Sequence, residues 1–284
     1  MKVQTFEEVA TMAKSLLKKV CQKLTSTKEP QVTKPIVKQV DKVLLTIANK
    51  KGEIYFQPTD GNTFGTRWNK ISGSLTQVDT EKELVAGVNK NDDIYMRIGV
   101  SKDNQFGTSW VHVPGKLHQV DVGDGKMAGV AKDDSIWVAN GDLKKPASVK
   151  WSKINGALMQ ITVGGGNIGG INKNHNIYLR EGIDAKHPYG KSWKLIGGLL
   201  KMMALGKNLA VGVNKNNDIY FMALSTKAPF GATWVHIAGK LSSIYIENGV
   251  IYGVSPIGEL FHRDGIDSAH PFGTKWEGPL KGWE

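Results

Sequence analysis

Three arginines recur at one place in a repeating phrase. Arg97, Arg180 and Arg263 each follow an aromatic residue by two positions, behind Tyr95, Tyr178 and Phe261. Two of them open nearly identical stretches, REGIDAKHPYGKSW at 180–193 and RDGIDSAHPFGTKW at 263–276. An arginine presents a planar fork of donors that suits paired hydroxyls, carboxylates or phosphates. The same stretches supply Asp184 with His187 and Asp267 with His270, and each ends on a tryptophan. An aromatic face takes the apolar C–H patch of a sugar while convergent polar groups take its hydroxyls. This chemistry is recognition rather than bond-breaking.

Each of these residues also has a plainer role open to it. The arginines could stiffen their loops by capping carbonyls or by pairing with Asp184 and Asp267, and the two readings weigh equally. Asn89, Asn172 and Asn214 could bind a ligand, but their place ahead of turns favours tying down the turn. Trp110, Trp193, Trp234 and Trp276, with Trp68 and Trp151, have the bulk to fill space between neighbouring structural units, and filling outweighs ligand contact. Tyr95, Tyr178 and Tyr220 share a strand position with Tyr55, Trp137 and Phe261, where alternation predicts half-burial.

Catalysis finds little support. The Asp residues of KNDD and KNND lack the spacing and terminal Glu of a calcium loop. None of the seven His has ligand spacing to Cys21 or to another His, so no metal site is expected. There is no G-x-S-x-G elbow and no phosphate-binding loop; VGGGNIGG at 163–170 reads as a glycine-rich hairpin. No cofactor and no enzymatic activity are expected.

The elements that must hold these residues follow from a period. Trp68, Trp110, Trp151, Trp193, Trp234 and Trp276 are spaced 42, 41, 42, 41 and 42 residues apart. Each unit contains four short β-rich runs, such as LHQVDV, MAGV, IWV and a Trp-bearing run, separated by Asn, Lys, Asp and Gly. Four antiparallel strands every forty-odd residues predict a β-propeller blade. The expected fold is all-β, a six-bladed propeller over 36–284, with blade 1 beginning at IVKQVDK (36–42). LKGWE at the other end could align with that same strand position, so ring closure stays open. Residues 1–35 form a separate extension. Within it 5–24 reads as an amphipathic helix with a Thr5/Glu8 capping box and an apolar stripe of Phe6, Val9, Ala13, Leu16, Leu17, Val20 and Leu24. That stripe suits packing or self-association, and its lysines would also suit an anionic membrane surface.

The net charge is +11, but residues 1–50 hold ten Lys against four Asp and Glu, so most of the basic character sits in the extension and its junction. The propeller shows no basic stripe, and nucleic acid is not expected as a partner. One cysteine permits no internal disulfide. With no secretory signal and no apolar run long enough to span a membrane, a cytoplasmic or non-classically secreted protein is expected.

The pattern G-V-N-x-x-x-x-I-Y-x-R-x-G-[IV], followed by P-[FY]-G-x-x-W-x-x-I-x-G-x-L, resembles the tectonin repeat over residues 36–284. The chain is similar to lectins of slime moulds, fungi, horseshoe crabs and fish eggs. The resemblance implies a six-bladed propeller that binds glycans, notably bacterial lipopolysaccharide or O-methylated sugars, at several sites between blades. Three stronger sites on blades 2, 4 and 6 are expected, because Gln57, Ala139 and Met222 replace the arginine in blades 1, 3 and 5. The alternative is an intracellular propeller that binds a protein or a membrane lipid and is anchored by its N-terminal helix.

Overall fold

The computed structural model describes residues 43–59, 67–224 and 233–280. The chain divides into two units, Met1–Gln39 and Val40–Glu284. The helix expected over 5–24, the strand expected at 36–42 and the C-terminal LKGWE beyond Leu280 lie outside the described residues.

Within the second unit every described element but one short turn of 3-10 helix, Pro146–Ser148, is a β-strand. The strands form six separate antiparallel sheets, each a meander, and these are the six blades of an all-β propeller. Blade 1 has β1 (Val43–Ala48), β2 (Ile54–Thr59) and β3 (Asn69–Ile71); blade 2 has β4 (Gln77–Glu81), β5 (Leu84–Val88), β6 (Asp93–Ile98) and β7 (Ser109–Lys116). Blade 3 has β8 (Gln119–Gly123), β9 (Lys126–Val130), β10 (Ile136–Asn140) and β11 (Lys150–Ile154); blade 4 has β12 (Gln160–Gly164), β13 (Asn167–Ile171), β14 (Asn176–Glu181) and β15 (Ser192–Leu199). Blade 5 has β16 (Met202–Gly206), β17 (Leu209–Val213), β18 (Asp218–Ala223) and β19 (Val235–Lys240); blade 6 has β20 (Ser243–Glu247), β21 (Val250–Val254), β22 (Leu260–Asp264) and β23 (Lys275–Leu280). Blades 2 to 6 therefore have four strands, and the described part of blade 1 has three.

The strands are this apolar because both faces of a blade are covered by its neighbours. Ala86, Val88, Ile94 and Met96 of blade 2 pack with Val120, Val122 and Met127 of blade 3, all at most 3% exposed. The same arrangement recurs around the ring, so the hydrophobic core is a set of inter-blade layers. Blades 2, 4, 5 and 6 carry a register shift at one equivalent place, beside Ile94, Ile177, Ile219 and Leu260. A bulge there bends the outermost strand and increases its twist.

The innermost strands, beginning with β4, β8 and β12, line a central channel and are laced to one another by side chains. Gln77, Gln119 and Gln160 each send Nε2 to a carbonyl of the next blade, at Val120, Ile161 and Met203 respectively (2.9, 3.0 and 2.8 Å). Asp79 and Asp121 accept the amides of Val122 and Val163 at 2.6 and 2.7 Å. In blade 4 the hydroxyl of Thr162 accepts the Leu205 amide at 3.2 Å. A cavity of about 250 Å³ at the channel is lined by these residues and Tyr245.

Candidate functional site

In a four-stranded meander, the loop between strands three and four lies at the same end as the hairpin between strands one and two. The Arg loops of blades 2, 4 and 6 therefore share one face of the ring, and the turns after Asn89, Asn172 and Asn214 lie on the other.

Arg180 is the penultimate residue of β14 and is only 6% exposed. Its Nε donates to the Tyr189 carbonyl at 2.7 Å, Nη1 to Asn155 Oδ1 at 2.8 Å and Nη2 to the Gly190 carbonyl at 3.3 Å. Its guanidinium carbon stands 4.9 Å from the centre of the Trp193 ring. Arg97 and Arg263 repeat the arrangement. Their Nε atoms donate to Phe106 and Phe272 carbonyls at 2.9 and 2.8 Å, and they stack on Trp110 and Trp276 at 5.5 and 5.3 Å. Burial lowers the pKa of all three guanidiniums. Each arginine is the pillar of its loop. None pairs with Asp184 or Asp267, whose own bonds stay local.

The aromatic residue of each loop is a plug. Phe106 packs into the core layer of blade 1, Tyr189 into that of blade 3 and Phe272 into that of blade 5. The Tyr189 hydroxyl reaches the Ala139 carbonyl at 2.6 Å, at the blade-3 position equivalent to an arginine. In blades 2, 4 and 6 the arginine thus holds the carbonyl of the very residue that plugs the blade before it.

The indole N–H groups of Trp110, Trp151, Trp193 and Trp234 donate to carbonyls of the preceding blade, at Ser72, Pro114, Asn155 and Gly197 (2.7–2.9 Å). These tryptophans fill and staple the gaps between blades. Tyr95 and Tyr220 meet His112 and His236 edge to face or tilted, with ring centres 5.5 and 5.4 Å apart, and Tyr178 packs on the layer between blades 3 and 4. Asn89 Oδ1 accepts the amides of Asn91 and Asp93; Asn172 and Asn214 do the same for Asn174 and Asn176, and for Asn216 and Asp218 (2.8–3.0 Å). These asparagines hold the turns of the opposite face. Asn214→Ala leaves two amides without their acceptor, and about 1 kcal/mol of stability should go with them. A drop of roughly 2–4 °C in thermal unfolding, with ligand binding unchanged, is the expected outcome.

What the loops present to solvent is different. Asp184 accepts the amides of Lys186 and His187 at 2.8 and 2.7 Å, and its carboxylate stands 2.9 Å from His187 Nδ1. Asp267 and His270 reproduce this turn. The four side chains are 43–59% exposed. His187, by its ring and then its amide, holds the Asp184 carboxyl below its ordinary range, and the His270 amide and ring do so for Asp267. Both Asp groups therefore stand ionised on the surface at neutral pH. Among the described residues no three His, Cys, Asp or Glu are gathered as metal ligands. No helix among them is long and apolar enough to cross a membrane.

The same face holds a groove of about 550 Å³ between blades 2 and 3. Leu84, Met96, Val100 and Leu143 give it an apolar lining, and Glu83 meets Lys144 across it at 3.6 Å. The groove follows from the blade-3 loop, which reads NGDLKKPASVKW and brings no aromatic plug to this gap. Sequence reasoning missed it, because an absent plug leaves no motif. It also passed over the channel residues, although QVD at 77–79 and 119–121 and QIT at 160–162 repeat in phase with the tryptophans.

Solved structures support the fold independently. A chain of the nidogen/laminin complex is 13% identical, with 84% of this chain and 94% of that chain covered and a TM-score of 0.59. Yeast RCC1 (Prp20), solved with Kap60, is 10% identical over 85% of this chain and 73% of its own, with a TM-score of 0.55. The β-propeller domain of Myceliophteria thermophila Cps50 (Swd1) is 9% identical, with 84% of each chain covered and a TM-score of 0.53. No curated protein sequence matches the chain. The family model of the Tectonin domain matches residues 47–115 and 107–281. With six phased repeats folded as six blades, the chain belongs to the tectonin domain family.

Proposed function

We propose that the protein is a multivalent lectin for microbial surface glycans, of which lipopolysaccharide and O-methylated sugars are the leading classes, acting in innate defence or agglutination. One observation carries the reading. Blades 4 and 6 build the same loop on the same kind of Arg–Trp pillar, and each leaves an ionised Asp with its His partner exposed. The buried base of the loop uses the arginine and the aromatic ring; the carboxylates and imidazoles bond only within their own turns and keep about half of their surface free for a ligand. A carboxylate accepts from vicinal sugar hydroxyls, and an imidazole can donate to a phosphate or carboxylate. Two copies on one rigid face also give linked binding, which multiplies avidity without new contacts. The groove between blades 2 and 3 offers an apolar floor for a methyl or acyl substituent beside Lys82 and Lys144.

A glycan array that includes bacterial lipopolysaccharides and O-methylated saccharides tests this reading. Clear, salt-resistant binding is expected, and the double variant Asp184→Ala/Asp267→Ala should lower it tenfold or more, an order set by lost linkage. A blank array with a folded protein would sink the proposal. A second reading, a platform for a protein partner, has its own observation. Leu195 and Leu199 on the outer strand of blade 4 are each 59% exposed. Blades 2 and 5 place His112 with Lys116, and His236 with Lys240, at those positions, where they flank Asp93 and Asp218.

A further inference from the structure

Blade 6 is joined to blade 1 by a buried carboxylate and a tyrosine that converge on one residue, Thr46. Between blades 2 and 3, 3 and 4, and 4 and 5, a side chain of one inner strand accepts an amide of the next inner strand. Blade 6 instead reaches β1. Glu247 Oε2 accepts the Thr46 amide at 2.8 Å, and Oε1 accepts the Thr46 hydroxyl at 3.0 Å. Tyr252 donates to the Thr46 carbonyl at 3.2 Å. Next door, Asn248 Nδ2 donates to the Leu44 carbonyl at 2.9 Å, while its Oδ1 accepts the Lys82 amide at 2.6 Å. One hairpin of blade 6 therefore grips blades 1 and 2 together.

Two further features single out this junction. The buried indole N–H groups of Trp68 and Trp276, on either side of blade 6, have no hydrogen-bond partner among the described residues, whereas the other four tryptophans staple their gaps. The residue at the Glu247 position is Gly123, Gly164 and Gly206 in blades 3, 4 and 5, and in blade 2 it is Glu81, which is paired with Lys82 rather than buried. At the glycines a side chain would run into the next inner strand; at Glu247 it fills the gap.

We propose that Glu247 and Asn248 are the clasp that closes the propeller ring, and that the clasp is tightest when Glu247 carries a proton. Glu247 is 1% exposed, and no basic group is paired with it among the described residues. Facing it are Thr46 of β1, Tyr252 of β21, Tyr245 of its own strand, Asp79 of β4 and, through the channel, Asp121 of β8. Glu81 stands behind Asp79. The nearby cations are engaged elsewhere, Lys82 on Glu81 and Lys201 on Asn217. A neutral carboxyl fits this setting: its O–H is shared with the Thr46 hydroxyl while the other oxygen keeps the Thr46 amide. An ionised one adds a third negative charge to those of Asp79 and Asp121.

Desolvation first, and Asp79 second, push Glu247 well above the usual carboxylate range. Burial likewise raises Asp79 to about 7, and burial followed by the Asp79 charge raises Asp121. Asp79 and Asp121 are only half-buried on the channel, so they are less desolvated than Glu247. A carboxyl raised in the folded state contributes most below its unfolded value. That contribution is lost as pH rises through the folded value. The junction should therefore lose stability as pH rises above the ordinary carboxylate range, until Glu247 has ionised in the folded chain. His262, lowered by burial, acts in the opposite sense, weakening the fold as pH falls. It is common to the wild type and the variant, so it cancels in their comparison.

Thermal unfolding of the full chain at about pH 6 and about pH 9 is the test. The wild type should unfold roughly 5 °C lower at the higher pH, a shift of the size expected for one or two units of linkage. Glu247→Gln, which keeps the shape of the neutral acid, should remove at least half of that difference by raising the midpoint at pH 9. An unchanged slope, or equal destabilisation at both pH values, overturns the proposal. The unaltered chain gives a second readout by amide exchange. Protection of the Thr46 amide, corrected for intrinsic exchange, should fall about tenfold between the two pH values. The Leu205 amide, held by the uncharged Thr162, should hold steady. Parallel changes at both amides would equally overturn it.

Discussion

Alanine in place of Gly164 is expected to cost about 3 kcal/mol, a large fraction of the stability of a typical domain. A Cβ there would lie 2.1 Å from the Leu205 carbonyl oxygen and 2.9 Å from its carbon. These are backbone atoms of the neighbouring inner strand, not the tip of a side chain that can swing aside. Relief would require β16 to back away by more than 1 Å, a distance set by ordinary van der Waals contact. That strand is held in place by Gln160 Nε2 on the Met203 carbonyl and by the Leu205 amide on Thr162. Withdrawing it would break the lacing and open the apolar layer behind it. Gly123 meets the same obstacle, with its Cβ 2.0 Å from the Val163 carbonyl oxygen. Gly166 is the control. Its φ is +80° but nothing lies within 4 Å of an added Cβ, so alanine there should cost only about 1 kcal/mol of backbone strain. Denaturant unfolding of the two variants decides the matter. Equal losses would mean that the inner strands are not held at this spacing.

Much of this architecture is legible in the sequence because it is periodic. Six tryptophans at 41- or 42-residue spacing fix the blade length, and turn residues between short apolar runs fix four strands per blade. The plain roles were also readable, since a ring of blades needs fillers at repeating positions; Trp193 on the Asn155 carbonyl is such a filler. What periodicity hides is which partner a repeated side chain takes. REGIDAKHPYG gives no sign that Arg180 turns inward onto Tyr189 and Asn155 while Asp184 and His187 stay outside. That choice depends on Asn155, which lies 25 residues earlier in another blade. The groove between blades 2 and 3 depends on a plug that is missing, and the clasp of blade 6 depends on Glu247 breaking a run of glycines. Departures of this kind are visible only once the repeats have been superimposed in space.

Arg180→Ala separates the two roles that the sequence leaves open for the arginines. The substitution removes three donors and the stack on Trp193 from a site that water scarcely enters. The Tyr189 carbonyl, the Gly190 carbonyl and Asn155 Oδ1 would lose their partner. Orphaned acceptors and the vacated space together predict a loss of about 2–4 kcal/mol. Lysine should restore little of it, because a point charge on a flexible stem cannot reach three acceptors set around a planar fork. Glycan binding should fall alongside stability, since the turn that carries Asp184 and His187 is hung from this pillar. Asp184→Ala should reduce binding at a much smaller cost, about 1 kcal/mol or less, because the two turn amides it accepts lie at the surface where water can replace it. Denaturant titration and glycan binding of both variants, read side by side, give the answer. Arg180→Ala that stays within about 0.5 kcal/mol of wild type yet loses the ligand would make the guanidinium a direct contact. Joint loss, with Asp184→Ala affecting chiefly binding, assigns recognition to the exposed rim of the loop and support to its buried base.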